Sequence, residues 1–395
     1  MKKKNKAIYL LFLMPFVYFA TACFVVWLVK TSGIYPSGSD TMYHVYRGDY
    51  VYNAIKSGNW YPLYDPAWYN GVEILRYWSP FPAYVMAFCQ YLAGGSQFGA
   101  YLFYIGGVCF LGACVWPFIG RGFNRPYLGA FIGLLWFFMP NNLCAIFIEG
   151  NLARSLSMIF LPVFIYSVYK YLYNHKLRYI PLMVFTFLLM ELCHLGYAGM
   201  VAIAVIIYGI VYIIQKGRKK AVLDVVISMI FGFMLLGIWL VASLRGGITS
   251  LDNSENMANF FQNLWITINP FERLTRGFEY FYFGFAALVV IVFGILFGYK
   301  KSRTGFVTGF IILLMTTKSA YAVLKHLPGS QYLWMLRFIS IALCMILMSF
   351  LMWDRLKKTL VLMLCVLLVV DTIPSLSLIV GEHNDISVQE RMAAR

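Results

Sequence analysis

Charge is what this sequence has least of. Of its 395 residues only 12% are Asp, Glu, Lys or Arg, while 61% are hydrophobic and the mean hydropathy is +0.72. A soluble chain of this length cannot hide so much apolar surface, which excludes the water-soluble classes. Acids are the scarcer sign, 16 against 32 bases, for a net charge of +16. In a soluble protein that excess would suggest nucleic acid, but here most of the bases sit in short clusters at the ends of apolar runs. No nucleic-acid partner is therefore expected. The eight cysteines lie mostly inside apolar runs and form no CxxC pair, so they read as apolar core residues, without zinc or a disulfide framework. A Walker motif, GxGxxG, GxSxG and an internal repeat are also missing. ATP-driven transport by this chain alone is not expected.

What is there is a succession of apolar runs. Lys2–Lys6 precede the apolar stretch Ala7–Val29, which lacks a small-residue cleavage site and reads as a retained signal anchor. Further spans are expected near 98–120, 127–146, 155–173, 179–195, 197–215, 221–244, 281–298, 304–320, 337–353 and 359–377. Phe81–Ala93 is short for a crossing and has no basic cap, so it reads as a helix lying in the interface. That choice puts all six basic clusters on one side: Lys2–Lys6, Arg121/Arg125, Lys170/Lys176/Arg178, Lys216–Lys220, Lys300–Arg303 and Arg355–Lys358. Bases mark the cytoplasmic side. The expected fold is an all-α, multi-pass plasma-membrane protein with about eleven crossings, its N-terminus in and its C-terminus out. Its expected parts are a transmembrane module over residues 1–244 with a first outer loop at 31–97, a second module over 245–377 with an outer loop at 245–280, and a short outer tail at 378–395. The loop Arg245–Tyr280 mixes acids with Phe and Trp and is expected to dip into the interface.

The first outer loop is the chemically dense stretch. Asp40, His44 and Arg47 follow one another at i, i+4 and i+7, one face of a helix starting near Thr41. A carboxylate can act as a base or ligate a divalent cation, and a guanidinium can grip a phosphate. The plainer reading makes Asp40 a helix cap and the other two a solvated face. At the next outer turn stand Glu149, Asn151 and Arg154, where acid and base either pair with each other or serve a substrate. Glu191 and His194 mark a third turn, and Glu73 and Arg76 are either a pair fixing the loop or a substrate contact. The Tyr and Trp of the loop, including Trp60, Trp68 and Trp78, suit an interface belt and would equally suit sugar rings.

A first span, an outer loop opening on Gly38-Ser39-Asp40…His44…Arg47, the run Asn70-Gly71 to Arg76-Tyr77, Glu149-Gly150-Asn151 with Arg154, and His194 together resemble the GT-C glycosyltransferases. Within them the chain is similar to the bacterial membrane proteins labelled 6-pyruvoyl-tetrahydropterin synthase-related, over roughly residues 1 to 240. The resemblance implies a GT-C-like fold with juxtamembrane helices in the first loop. It also implies sugar transfer from a polyprenyl-phosphate-linked donor to an envelope glycan or protein. Asp40 would be the base or metal ligand and Glu149 the second acid. His44, Arg47, Arg76, Arg154 and His194 would contact substrate or phosphate. A divalent cation, Mg or Mn, would be held by Asp40 and Glu149. Many such enzymes have Asp where this chain has Glu149, and many carry a soluble outer domain where it has only its short tail.

Two readings compete with an enzyme. A transporter or flippase for a lipid-linked sugar would place charge near mid-membrane, but the expected span interiors carry almost none. The other is a non-catalytic protein of envelope assembly that keeps the site as a binding surface.

Overall fold

A computed structural model describes residues 2–33, 35–36, 38–68, 71–76, 78–245, 284–326, 334–353, 356–379 and 383–384. Most of the expected loop at 245–280 lies outside these residues, as does most of the tail. Among the described residues the named elements are helices apart from a two-residue strand pair, Tyr35–Pro36 (β1) against His383–Asn384 (β2). The first ten helices are α1 (Lys2–Ser32), α2 (Thr41–Lys56), α3 (Phe81–Leu92), α4 (Gln97–Gly122), α5 (Pro126–Leu135), α6 (Pro140–Phe147), α7 (Leu152–Asn174), α8 (Tyr179–Lys216), α9 (Lys219–Leu235) and α10 (Gly237–Arg245). After residue 284 come α11 (Phe285–Phe297), α12 (Lys300–Met315), α13 (Lys318–Leu324), α14 (Phe338–Met352) and α15 (Lys358–Thr372).

Among the described residues five helices are long and apolar enough to cross a bilayer, or up to seven if each bent pair is one span. The bends fall at glycine or proline, as the chemistry of helix interruption requires. One lies between the turn after α5 and Pro140, at 43°, and the other ahead of Gly237, at 64°.

The 38 residues of α8 fold back on themselves. His194 has non-helical dihedrals (φ −156°, ψ 94°) and divides it. Near one end, Tyr179 packs edge-on against Tyr166 of α7. Near the other end, Tyr212 donates to the Leu172 carbonyl at 2.6 Å. Both ends of α8 therefore meet the C-terminal part of α7, while His194 sits by Asn151 at its start. The bend falls between the two segments expected at 179–195 and 197–215.

The same kind of contact sorts the charges. Lys170 donates to the Gly122 carbonyl, Arg218 meets His175, and Tyr173 donates to the Lys301 carbonyl at 3.1 Å. Trp353, just ahead of Lys357 and Lys358, packs on Phe306 near the start of α12. α1 runs antiparallel to α4, with Phe19 on Phe110, and so carries its Lys2–Lys6 end the same way. The basic clusters thus gather at one end of the bundle. α3 starts by Ser79, which donates to the Glu191 carbonyl, and ends beside the start of α4, so it stays at the opposite end.

α7 and α14 form the centre, buried on nearly every face. A helix apolar all round needs such surroundings. Close crossing uses small residues: a Cβ at Gly120 would lie 2.7 Å from Gly129 Cα, locking α4 to α5. Because α14 enters this core, the segments expected as separate modules share one interior.

Candidate active site

At the end opposite the basic clusters, the chain after β1 is laid against the turn between α6 and α7. Ser39 N donates to the Ile148 carbonyl at 3.1 Å and Asp40 N to the Glu149 carbonyl at 2.8 Å. The Ser39 hydroxyl donates to the same Glu149 carbonyl. Two glycines permit the approach. Gly150 has φ +62° and any Cβ there would overlap Thr41, while a Cβ on Gly38 would lie 2.7 Å from Gly150 Cα. Asp40 and Glu149, 109 positions apart in the sequence, are brought together by backbone pairing.

The loop acids then separate by what already holds them. Asp49 accepts from Gln90 at 2.6 Å. Asp65 is bonded by Tyr46 and by Ala67 N, and pairs with Val72 through its backbone. Glu73 is in an ion pair with Arg76, whose Nε also donates to Ala242 of α10. These three shape the loop. Asp40 occupies the N-cap position of α2 but makes no side-chain capping bond. Its carboxyl is free of the task that would have explained it away.

Asp40, His44 and Arg47 line one cavity of about 310 Å³ with Tyr43, Trp68, Val72, Ile74 and Trp78. The buried Arg47 guanidinium stacks 4.1 Å from the Trp78 ring centroid and 5.4 Å from that of Trp68, and its Nε has no hydrogen-bond partner. Burial lowers Arg47 to about 10, against the opposing pull of Asp40, so it remains charged at neutral pH. Burial raises Asp40 above the usual carboxylate range; Glu149 adds to this and Arg337 and Arg47 oppose it. His44 is held below the imidazole range by burial and by Arg47 and Arg337, and is neutral near pH 7. Trp60, Tyr61 and Tyr64 remain exposed at the surface, as an interface belt would be.

Glu149 is shared between two arginines, Arg154 Nη2 at 2.7 Å and Arg337 Nε at 3.4 Å. Arg154 is wholly buried in the first turn of α7, where a cation opposes the helix dipole, and Glu149 offsets that cost. Among the expected contacts, Arg154 and His194 lie beside the cavity without lining it, and Arg76 faces α10. Glu191 is buried near the α8 kink with Oε2 unpartnered. Arg337 was not anticipated from sequence. Its signal was isolation, since it belongs to no basic cluster yet opens an apolar run.

The donor set does not fit a divalent cation bridging Asp40 and Glu149. Glu149 is already held by two guanidinium groups, and three arginines face two carboxylates. Among the described residues no three His, Cys, Asp or Glu side chains gather in a metal-binding group. Four helices also begin here: α2 at Asp40, α7 at Asn151, the second half of α8 at His194, and α14 at Arg337. Positive helix ends with buried arginines make an environment for an anion.

No curated protein matches the chain. The family described as 6-pyruvoyl-tetrahydropterin synthase related domain, a membrane protein, matches residues 75–379. The match reaches well beyond residue 240 and takes in Glu149, Arg154, His194 and Arg337, while Asp40, His44 and Arg47 precede it. With well over half of its length matched, the chain belongs to this family of membrane proteins.

Proposed function

We propose that the protein is a multi-pass plasma-membrane glycosyltransferase, moving a sugar from a polyprenyl-phosphate-linked donor to an acceptor of the cell envelope. In this reading the basic end faces the cytosol, the chain crosses about eleven times from an internal N-terminus, and the Asp40 cavity opens outside. The carrying observation is that cavity: one carboxylate with no capping bond to make, a buried arginine and two tryptophan faces in a space of about 310 Å³. Aromatic faces suit the C–H faces of a sugar, and the surplus of guanidinium suits a phosphate.

The chemistry is a single displacement. The acceptor hydroxyl oxygen attacks the anomeric carbon, and its proton passes to Asp40 as the new C–O bond forms. The bond from the anomeric carbon to the phosphate oxygen breaks, and the electron pair leaves on the polyprenyl phosphate. Neutral His44, one turn from Asp40, can orient the acceptor by a hydrogen bond.

A second reading has one observation in its favour. Discontinuous helices are a feature of transporters, and the pair α5 and α6, bent by 43° ahead of Pro140, runs up to the turn that holds Glu149. In both readings the ligand is a lipid-linked sugar.

The test is a transfer assay with polyprenyl-phosphate sugar and the reconstituted full chain. Asp40→Asn should lower the rate roughly 100- to 10,000-fold, with helical content unchanged. An Asp40→Asn protein as active as the parent defeats the catalytic role. Unchanged sugar movement across vesicles by a transfer-dead variant favours the transporter.

A further inference from the structure

Asn151 and His194 each close the start of a helix, and this fixes their polar atoms. Asn151 Oδ1 accepts from Arg154 N at 2.9 Å, which leaves Nδ2 turned away from the helix. At the α8 kink, His194 Nδ1 accepts from Tyr197 N at 3.1 Å, three residues on, as an N-cap side chain does. The acceptor nitrogen of the ring is thereby used. Whether the ring is neutral or protonated, Nε2 carries a hydrogen.

That Nε2 lies 3.5 Å from Asn151 Nδ2 and 3.4 Å from Arg337 Nη1. All three are donors. Among the described residues neither Nδ2 nor Nη1 meets an acceptor in addition to this ring. Three converging donors repel one another unless an oxygen with lone pairs stands between them. Arg154 lies alongside, wholly buried, with Nε and Nη1 unpartnered. His194 is half-buried and Gly196 exposed, so a ligand has a way in.

We propose that His194 Nε2, Asn151 Nδ2 and Arg337 Nη1 form the seat of a phosphate oxyanion carried by a lipid-linked monophosphate. The helix starts at Asn151, His194 and Arg337 add their positive ends to the three donors. The seat adjoins the Asp40 cavity, because Arg337 bonds Glu149 and Glu149 is joined to Asp40 through the backbone. A phosphate held here would direct its sugar toward Trp68 and Trp78. The proposal deepens the transfer reading, resting on it for the lipid-linked identity of the ligand; the seat itself rests on the donors.

The test measures binding by the full chain in detergent micelles, using polyprenyl monophosphate, phosphate-free polyprenol and inorganic phosphate. Polyprenyl monophosphate should bind and polyprenol should not. Asn151→Asp keeps an oxygen for the helix cap but replaces the donor with a carboxylate; it and Arg337→Gln should each weaken binding about tenfold or more. Inorganic phosphate binding as tightly as the lipid keeps the seat and makes its occupant a free phosphate. Parental affinity in Asn151→Asp, or equal binding of polyprenol, overturns it. Nitrogen-15 spectra of the histidines, assigned through His194→Gln, supply a readout on the parent protein. A hydrogen on Nε2, with a signal that moves when polyprenyl monophosphate is added, is expected; a hydrogen on Nδ1 alone overturns the seat. Binding that survives in a transfer-dead Asp40→Asn protein supports the seat, whatever becomes of the catalytic reading.

Discussion

The two ends of the bundle use the same residue types under opposite rules. At the basic end Arg121, Lys176, Arg178, Lys216, Arg218, Lys300 and Lys357 are exposed, where water solvates them. At the other end Arg47 and Arg154 are buried and Arg337 is nearly so, and Arg154 and Arg337 sit at helix starts, against the dipole. An exposed cation needs no partner. A buried one needs a carboxylate, an aromatic face or a ligand, and Glu149, Trp78 and Trp68 meet only part of that need. Water completes the solvation of the cations at one end, while at the other their pairing is left incomplete.

Removing Glu149's charge should break this contrast most severely. Glu149→Gln leaves Arg154 buried without its counter-ion and should cost on the order of 3–5 kcal/mol, read as a drop in thermal stability in detergent. A parent-like melting temperature would show that the pair contributes little. Next in size is Gly150→Ala, which must hold φ +62° with a Cβ against Thr41. About 1–3 kcal/mol of strain is expected, together with loss of transfer, because the backbone pairing of residue 40 with residue 149 is what sets the carboxylate.

A pH profile sharpens the comparison with a smaller effect. Asp40 must be ionised to act as base, and its raised pKa moves the acid limb of activity above the range of an ordinary carboxylate. Arg337 lowers that pKa, so Arg337→Gln should shift the limb to still higher pH. A limb that stays in place would sever Arg337 from Asp40. The smallest effect belongs to the basic end. Arg218→Gln, at an exposed position, should alter neither melting temperature nor transfer rate, and a marked loss of either would end the contrast.

Much of the site was legible because helical spacing is a local property. Asp40, His44 and Arg47 line one cavity, as their i, i+4, i+7 spacing suggested. The choice between catalytic and structural acids was not legible. Asp49 is spent on Gln90, Asp65 on Tyr46 and Glu73 on Arg76, and the first two bonds cross between helices or from helix to loop. Arg337 escaped notice for a related reason. No other charged residue lies within ten positions of it in the chain, and its partners Glu149 and His194 are 188 and 143 positions away.

By itself the sequence determined the solvent. Apolar runs too long and too many for water dictate helices in lipid, and the clustering of Lys and Arg at their ends dictates which helix ends share a side, since charge cannot be left in hydrocarbon. Only the tertiary structure decided which charges are spent on one another. That depends on which helix starts meet, and on a glycine contact close enough to lay residue 40 against residue 149. Pairing at that distance is set by packing, which no local pattern of residues encodes.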